Sequence, residues 1–292
     1  MVTEEWLAHV ERGLTGAHPL RRLPPLLLML AQLDGDRLRS FEDDVRAVQR
    51  ASPTGNRVAA FLSNGIEADL AAERQWLAGC AELALCASLL ERFPGRVCIE
   101  PKLPNGKRCD AALRLADRTV VWIECTVLSI SNDEYEAHDQ YADVQLHTGD
   151  PYHDARRVYR KVFDKIVGTA SDLRPQMHPQ EPSVLVVVEG SVVTPGLSSL
   201  GVEWALEQIL DPTKRNDASG ASIVSWAERD YGNASDEALA RTRELSALCL
   251  VGYRSGVATT KVNRGADEAH TLTSAQFAEV EEALASINRP WS

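Results

Sequence analysis

Apolar residues recur at helical spacing over roughly the first third of the chain and then at alternate positions, and this change of period divides the sequence in two. The helical spacing predicts several short helices over residues 3–63 and a longer buried helix over Ile66–Phe93. We therefore expect a helical N-terminal lobe, residues 1–64, followed by an α/β domain that occupies residues 65–292.

Alternation of apolar and polar residues begins at Val97 and predicts three strands, of which the last two form a hairpin. These strands are expected over residues 97–101, 109–115 and 119–128. The elements predicted after them are a helix over 154–168, a strand over 183–191, a helix over 197–211, a short strand over 221–226, a short helix over 236–244, strands over 245–253 and 256–262, and a terminal helix over Ser274–Ile287. The strand at 183–191 is apolar on both faces, which is typical of a strand in the middle of a sheet. This order of elements predicts a mixed α/β fold, with a central sheet flanked by helices.

Composition narrows the classes of partner and the compartment. The formal net charge of -11 argues against a protein coated with basic surface, so any contact with nucleic acid must be local. The apolar run LPPLLLML, residues 23–30, is too short to span a membrane and contains two prolines, so no membrane partner is expected. The six cysteines form no CxxC pair and lie mostly in apolar runs, which is typical of buried reduced thiols in a cytoplasmic protein.

Two acids stand in the predicted hairpin, where a buried strand normally carries apolar residues. Alternation places Glu124 and Thr126 on one face of their strand, and pairing of the hairpin brings Asp110 out on the same side. Two carboxylates at such a place repel each other and are costly to bury unless a cation lies between them. Mg²⁺ is a suitable cation, because it prefers oxygen and is held by one or two carboxylates together with water and substrate phosphate.

A third acid, Glu82, lies in the long predicted helix at helical spacing with apolar residues. The succession of a helix with Glu82, a strand with Asp110, a strand with Glu124 in Glu-Cys-Thr, and then a helix and an apolar strand resembles the PD-(D/E)XK phosphodiesterase superfamily. The resemblance covers about residues 70–190 and implies a restriction-endonuclease-like core and a nuclease that hydrolyses phosphodiester bonds. It also implies that Asp110 and Glu124 hold Mg²⁺ or Mn²⁺, with Glu82 assisting from the helix.

The superfamily motif ends in Glu-x-Lys, and this chain has Thr126 at the lysine position. Some members supply the lysine from a neighbouring element, and the predicted helix over 154–168 lies where that could happen. Lys165 flanks the apolar stripe of this helix, whereas Lys161 lies further round. We therefore expect Lys165, or as second candidate Lys161, to replace the motif lysine, while Thr126 offers a hydroxyl to a metal-bound water.

Two groups of basic residues are candidates for contacts with phosphates. Arg156, Arg157 and Arg160 lie on the predicted helix over 154–168, and Lys107 and Arg108 lie near the hairpin. Such residues neutralise backbone phosphates locally even in an acidic protein, so DNA or RNA is the expected partner.

Other interpretations fit the same residues. The missing motif lysine also fits a catalytically inactive domain that serves as a nucleic-acid or protein-binding module. The three acids also fit a purely structural domain in which they are salt-bridged. The pattern leaves open whether the protein forms a homodimer.

Two other candidate sites are not favoured. His138, His147 and His153 lie in an acidic segment, residues 131–154, that is either a long loop or a helical insertion, and their spacing matches no helical i, i+4 pair of zinc ligands. Ser191 and Ser198 lack the GxSxG context of a hydrolase nucleophile.

Overall fold

The structure is a computed structural model that describes residues 35–53, 70–128, 151–168, 175–189, 199–215, 222–252, 258–285, 287 and 289. Its helices are α1 Gly35–Ala51, α2 Leu70–Arg92, α3 Pro151–Ile166, α4 Ser199–Leu210, α5 Ile223–Tyr231, α6 Ser235–Ala240 and α7 Ser274–Leu284. Its strands are β1 Val97–Ile99, β2 Ala111–Arg114, β3 Val120–Leu128, β4 Ser183–Glu189, β5 Ala247–Gly252 and β6 Ala258–Val262.

The strands form one six-stranded mixed sheet, and their order in the sheet is their order along the chain. Strands β1, β2 and β3 pair antiparallel, β4 pairs parallel with both β3 and β5, and β6 lies antiparallel to β5 at the edge. The central place of β4, which its two apolar faces predict, is confirmed. The mixed α/β class, with a sheet flanked by helices, is confirmed as well.

Side chains of β4 alternate between two hydrophobic cores, one on each face of the sheet. Val184, Val186 and Val188 belong to the core that α1, α2 and α7 cover. Leu185 and Val187 belong to the core that α3, α4 and α5 cover, and we call this side of the sheet the α3 face. Both faces of the sheet are thus buried under helices, which explains why β4 has no polar side.

The short strand predicted over residues 221–226 is wrong, because this stretch begins helix α5. Ser222 is the N-cap, and its hydroxyl accepts a hydrogen bond from the Val224 N–H at 3.2 Å. Ile223, Trp226 and Ala227 are the buried residues of the helix, at the i, i+3, i+4 spacing of one helical face. Such a short apolar run does not distinguish a period of 2 from one of 3.6.

The boundaries of other predicted elements shift by a few residues at their ends. The terminal helix ends at Leu284 and not at Ile287. The described part of the long helix begins at Leu70, and the proposed domain boundary at residue 64 lies outside the described residues, as do the helices expected before residue 35. Helix α1 packs on α2 through Phe41 and Trp76, whose ring centroids are 6.4 Å apart, and it shares the core under the sheet.

All six cysteines are free thiols, and five of them are buried. Cys98 is the exception to the expected burial, because it lies on β1 at the edge of the sheet, where an outward side chain meets solvent. None of the described helices is both long and apolar enough to cross a membrane.

Candidate functional site

Glu124 lies in β3 and points to the α3 face, because its neighbours Ile123 and Cys125 belong to the opposite core. The β2–β3 register pairs Ala111 with Ile123, and continuing it by one residue sets Asp110 opposite Glu124. Both acids are buried, each being 1 % exposed. The structure therefore brings together the two carboxylates of the predicted hairpin.

Asp110 is held at the start of β2 by contacts with three neighbouring segments. Its Oδ2 accepts a hydrogen bond from the Cys125 N–H at 2.6 Å, and its carbonyl oxygen accepts one from the Glu100 N–H at 3.0 Å. The Cys86 thiol of α2 also donates to this carbonyl, over a distance of 3.9 Å. The second oxygens of the two carboxylates, Asp110 Oδ1 and Glu124 Oε2, are buried too. The position of Asp110 is thus defined by the backbone of β1 and β3 and by helix α2.

A lysine reaches these acids from α3, the helix that covers this face of the sheet. Lys165 Nζ donates to Glu124 Oε1 at 2.7 Å and to Gln176 Oε1 at 2.9 Å. Burial lowers the pKa of Lys165, but the net shift is upward because nearby negative charges outweigh burial. These charges are, in decreasing order of effect, those of Glu124, Asp110 and Glu82. The ammonium group therefore stays charged at neutral pH.

Glu82 acts on this cluster from α2, which packs on the face of the sheet opposite to α3. The side chain is half-buried, and its charge contributes to the raised pKa of Lys165. The Cys125 thiol experiences the same group of acids: burial raises its pKa most, and the charges of Asp110, Glu82 and Glu124 raise it further. Glu82 therefore belongs to the electrostatic environment of the site, and its role as a direct metal ligand stays a prediction.

Thr126 and Lys161 take different places relative to the acids. Thr126 is buried two residues after Glu124 on the same face of β3, where it pairs with Val187 of β4. Lys161 lies one turn before Lys165 on α3, and its charge opposes the burial that raises the pKa of Asp164. The lysine that contacts Glu124 is thus Lys165, the first of the two candidates.

The arginines of α3 lie close to acids of α5 and of α3 itself. Arg156 Nη2 and Arg160 Nε are 3.8 Å and 3.7 Å from the carboxylate oxygens of Asp230 on α5. Arg157 Nη1 is 3.9 Å from Asp154 Oδ1 on the same helix. Arg156 and Arg160 therefore share Asp230 of α5, and Arg157 lies near an acid of its own helix.

The basic residues of the β1–β2 connection lie next to the site. Arg108 is exposed, and its Nη1 donates to the Glu100 carbonyl at 2.7 Å. Lys107 is half-buried in the same loop, two residues after Asn105. Asn105 Nδ2 donates to the Pro175 carbonyl at 2.7 Å, and this bond ties the loop to the segment that carries Gln176. The loop thus joins a basic surface to both Asp110 and the partner of Lys165.

A hard divalent metal ion needs several oxygen ligands around one point. In the described part of the chain, no three His, Cys, Asp or Glu side chains are placed to hold a metal ion together. Two buried carboxylates, Asp110 and Glu124, nevertheless suit Mg²⁺ or Mn²⁺, because such hard ions prefer oxygen and Mg²⁺ is commonly held by one or two carboxylates, water and substrate phosphate. The residues present therefore fit a metal whose ligand shell is completed by substrate.

Two residues of the site have no signal in the sequence pattern. Gln176 lies in a Pro-rich connection, between Pro175 and Pro179, and reaches Lys165 only because of the fold. Glu100 is a buried acid with φ of 51°, a backbone conformation that is rare for a residue with a side chain. The β1–β2 register continues to place it opposite Asp110, yet its carboxylate accepts a hydrogen bond from the Ser52 hydroxyl at the end of α1. The Glu100 carboxylate is thus bonded to the end of α1, although the register of its backbone would place it beside Asp110. Its left-handed backbone accompanies this change of direction.

Other predicted positions lie outside the described residues. They are His138, His147, Ser191 and Ser198, most of the segment over 131–154, and the side chain of His153. No protein-family model, curated protein or solved structure matches this chain. What the site does must therefore follow from its own side chains.

Proposed function

We propose that this protein is a metal-dependent nuclease that hydrolyses phosphodiester bonds of DNA or RNA, on a restriction-endonuclease-like core. The observation that carries the proposal is the ion pair between Lys165 Nζ and Glu124 Oε1, at 2.7 Å, beside the buried carboxylate of Asp110. It supplies from α3 the cation that Thr126 does not provide at the end of the Glu-Cys-Thr sequence.

The two buried acids hold the metal in this proposal. Asp110 and Glu124 provide one anionic oxygen each, and the hydrogen bond from the Cys125 N–H keeps Asp110 in place. When bound, Mg²⁺ supplies polarisation of a phosphate oxygen and activation of the attacking water. The burial of both carboxylates favours this role, since the repulsion between them decreases when a divalent cation lies nearby.

Lys165 stabilises negative charge and does not act as a general base. A base must be largely unprotonated near the working pH, and the raised pKa of Lys165 keeps it as an ammonium. Its charge lies beside Glu124, one of the two acids that would hold the metal, so it would stabilise negative charge on a phosphate bound to that metal. A preorganised donor of this kind contributes on the order of 3 kcal/mol to transition-state stabilisation.

A polyanionic substrate needs a local basic surface on a chain with net charge -11. The β1–β2 connection provides one through Lys102, Lys107 and Arg108, of which Lys102 and Arg108 are exposed. The same connection leads directly into Asp110, so a strand bound along it passes the carboxylates. Among the basic residues of the described chain we therefore assign phosphate contacts to this loop before the arginines of α3, which lie near Asp230 and Asp154.

The decisive experiment incubates the protein with single- and double-stranded DNA and RNA in the presence of Mg²⁺ or Mn²⁺, beside an Asp110→Asn variant. Asparagine keeps the size of the side chain and an oxygen that accepts from Cys125, but it removes the charge. We expect metal-dependent cleavage by the native protein and its loss in the variant. Equal cleavage by both proteins overturns the site, and binding of nucleic acid without cleavage by the native protein favours the inactive binding module.

A further inference from the structure

Gln176 makes two hydrogen bonds to one residue, Lys165. Its backbone N–H donates to the Lys165 carbonyl at 2.8 Å, and its side-chain Oε1 accepts from Lys165 Nζ at 2.9 Å. The glutamine lies in the connection between α3 and β4, eleven residues after the lysine. The backbone bond sets the base of the lysine side chain and the side-chain bond sets its tip.

The connection that carries Gln176 is itself anchored on both sides. The carbonyl of Pro175, directly before it, accepts from Asn105 Nδ2 at 2.7 Å. Met177, directly after it, is 1 % exposed within the core on the α3 face. The His178 N–H then donates to the hydroxyl of Ser183 at 3.1 Å. The amide of Gln176 is therefore presented to Lys165 from a segment with a defined position.

The ammonium group of Lys165 has three N–H donors on a flexible stem of four carbons. Within the described residues, two of the three donate to Glu124 Oε1 and Gln176 Oε1. Two acceptors fix the direction of the third N–H, and the side chain keeps 21 % of its surface exposed. Because an amide oxygen carries no net charge, Gln176 orients the ammonium without neutralising it as a second carboxylate would.

We infer that Gln176 is a positioning residue, which holds the ammonium of Lys165 so that its third N–H points to the scissile phosphate. This inference rests on the proposed nuclease function, and it adds a residue that the acidic pattern of the sequence does not indicate. Gln176 itself contacts neither metal nor substrate and acts through Lys165.

The first test observes Lys165 directly, in protein labelled with ¹⁵N-lysine. A hydrogen-bonded, half-buried ammonium exchanges its protons slowly with water, so we expect a resolved NH₃⁺ signal, assigned by its loss in Lys165→Met. The signal should disappear in Gln176→Leu and persist in Gln176→Glu, which keeps an acceptor oxygen at the same reach. Gln180→Leu is the matched control, since Gln180 is exposed in the same connection. An unchanged signal in Gln176→Leu overturns the inference.

The second test measures steady-state cleavage of a DNA or RNA oligonucleotide with Mg²⁺. We expect kcat to fall about tenfold in Gln176→Leu with KM changed less than about twofold, because the lost bond orients a charged donor. Gln176→Glu should recover kcat only in part, because it keeps the acceptor oxygen that orients Lys165 but adds a charge that partly neutralises the ammonium. Gln180→Leu should equal the native protein. A rise in KM alone contradicts a positioning role. Absence of cleavage by the native protein overturns the proposed function instead, and the NMR signal then decides separately whether Gln176 holds Lys165.

Discussion

Among the described residues, Arg289 and Lys165 each lie beside two carboxylates, and the two places differ in how much negative charge is buried. In the first, Arg289 joins Asp44 of α1 to Glu91 of α2. In the second, Lys165 of α3 lies beside Glu124 and Asp110. We call the first the Arg289 clamp and the second the Lys165 cluster.

The Arg289 clamp is close to neutral within its buried part. Arg289 Nε and Nη2 donate to the two oxygens of Asp44 at 2.7 Å and 2.5 Å, the forked geometry of a strong arginine–carboxylate pair. The side chain of the second acid, Glu91, is 65 % exposed and so keeps most of its hydration. One buried acid thus meets one half-buried cation, and the pair ties residue 289 to α1.

The Lys165 cluster buries more acid than the Arg289 clamp does. Asp110 and Glu124 are both 1 % exposed, Glu82 adds a further charge, and one ammonium contacts the group. Burying several like charges close together is costly, so such a group is expected where a cationic ligand binds. The same types of side chain therefore make a structural clamp where one acid is buried and a candidate active site where two are buried.

The largest expected effect is on cleavage of nucleic acid, which should depend on the Lys165 cluster and not on the Arg289 clamp. Glu124→Gln keeps the size of the side chain and removes one of the two anionic groups that we propose as metal ligands, so we expect cleavage to fall about a thousandfold, corresponding to several kcal/mol of transition-state stabilisation. The measurement is the rate of metal-dependent cleavage, with circular dichroism to check the fold. If Glu124→Gln cleaves at the native rate, the Lys165 cluster is a second clamp and not an active site.

The next effect is on stability, and it falls on the clamp. Asp44→Asn removes the charge of the buried partner of Arg289 and leaves only the exposed Glu91, so we expect the free energy of unfolding to drop by about 3 kcal/mol, as for other broken buried pairs. Urea unfolding measures this drop, and cleavage at a temperature where the variant is folded should stay within about twofold of native. Asp43→Asn is the control, because the Asp43 side chain is 75 % exposed and pairs with Arg46 on the surface of the same helix. A variant of Asp44 that loses activity but no stability contradicts the distinction.

A smaller loss of activity is expected at the lysine. Lys165→Met keeps the apolar stem and removes the ammonium, so cleavage should fall about a hundredfold, the cost of one preorganised donor. Lys161→Met, one turn earlier on α3, should stay within about threefold of native, since Lys165 is the lysine whose ammonium contacts Glu124. The opposite result, a slow Lys161 variant beside a native-like Lys165 variant, would assign the catalytic cation to Lys161.

Much of the fold follows from local pattern, and its one wrong element shows why. Strand β4 is apolar at every position from Val184 to Val188, and only a central strand buries both faces. The stretch at 221–226 is too short to show whether its apolar residues recur at strand or at helix spacing. In the structure it begins helix α5, with Ser222 as the N-cap. Pattern therefore predicts elements that span several periods and fails on shorter ones.

The residues of the candidate site also fall into two groups, those that local sequence pattern indicates and those that it does not. Asp110 and Glu124 could be placed opposite each other because a hairpin register and alternation are local properties. Lys165 could be preferred to Lys161, because a residue beside the apolar stripe of the helix lies closer to the sheet. Gln176 could not be found, because it meets Lys165 through the packing of a loop on a helix, and nothing in their spacing encodes that contact.

The smallest expected effect compares the two places by pH. Burial lowers the pKa of Lys165, but Glu124 and Asp110 outweigh burial, so the pKa in the folded protein lies above its usual value of 10.5. The folded state then binds more protons than the unfolded state at alkaline pH, and stability falls as pH rises. The contribution of the ammonium to the free energy of unfolding is therefore fully present below pH 10.5 and is lost as the pH rises through the pKa of Lys165 in the folded protein.

Urea unfolding between about pH 9 and about pH 12 measures this contribution as the difference between native protein and Lys165→Met. We expect that difference to be constant up to about pH 10 and to shrink above it, whereas the difference between native protein and Asp44→Asn stays constant, because an arginine remains charged throughout this range. Subtracting each variant from native protein removes the titration of tyrosines and other lysines that both proteins share. If the Lys165 difference stays level up to about pH 12, the ammonium contributes nothing to folding, and its place beside Glu124 is then maintained by the packing of α3 on the sheet.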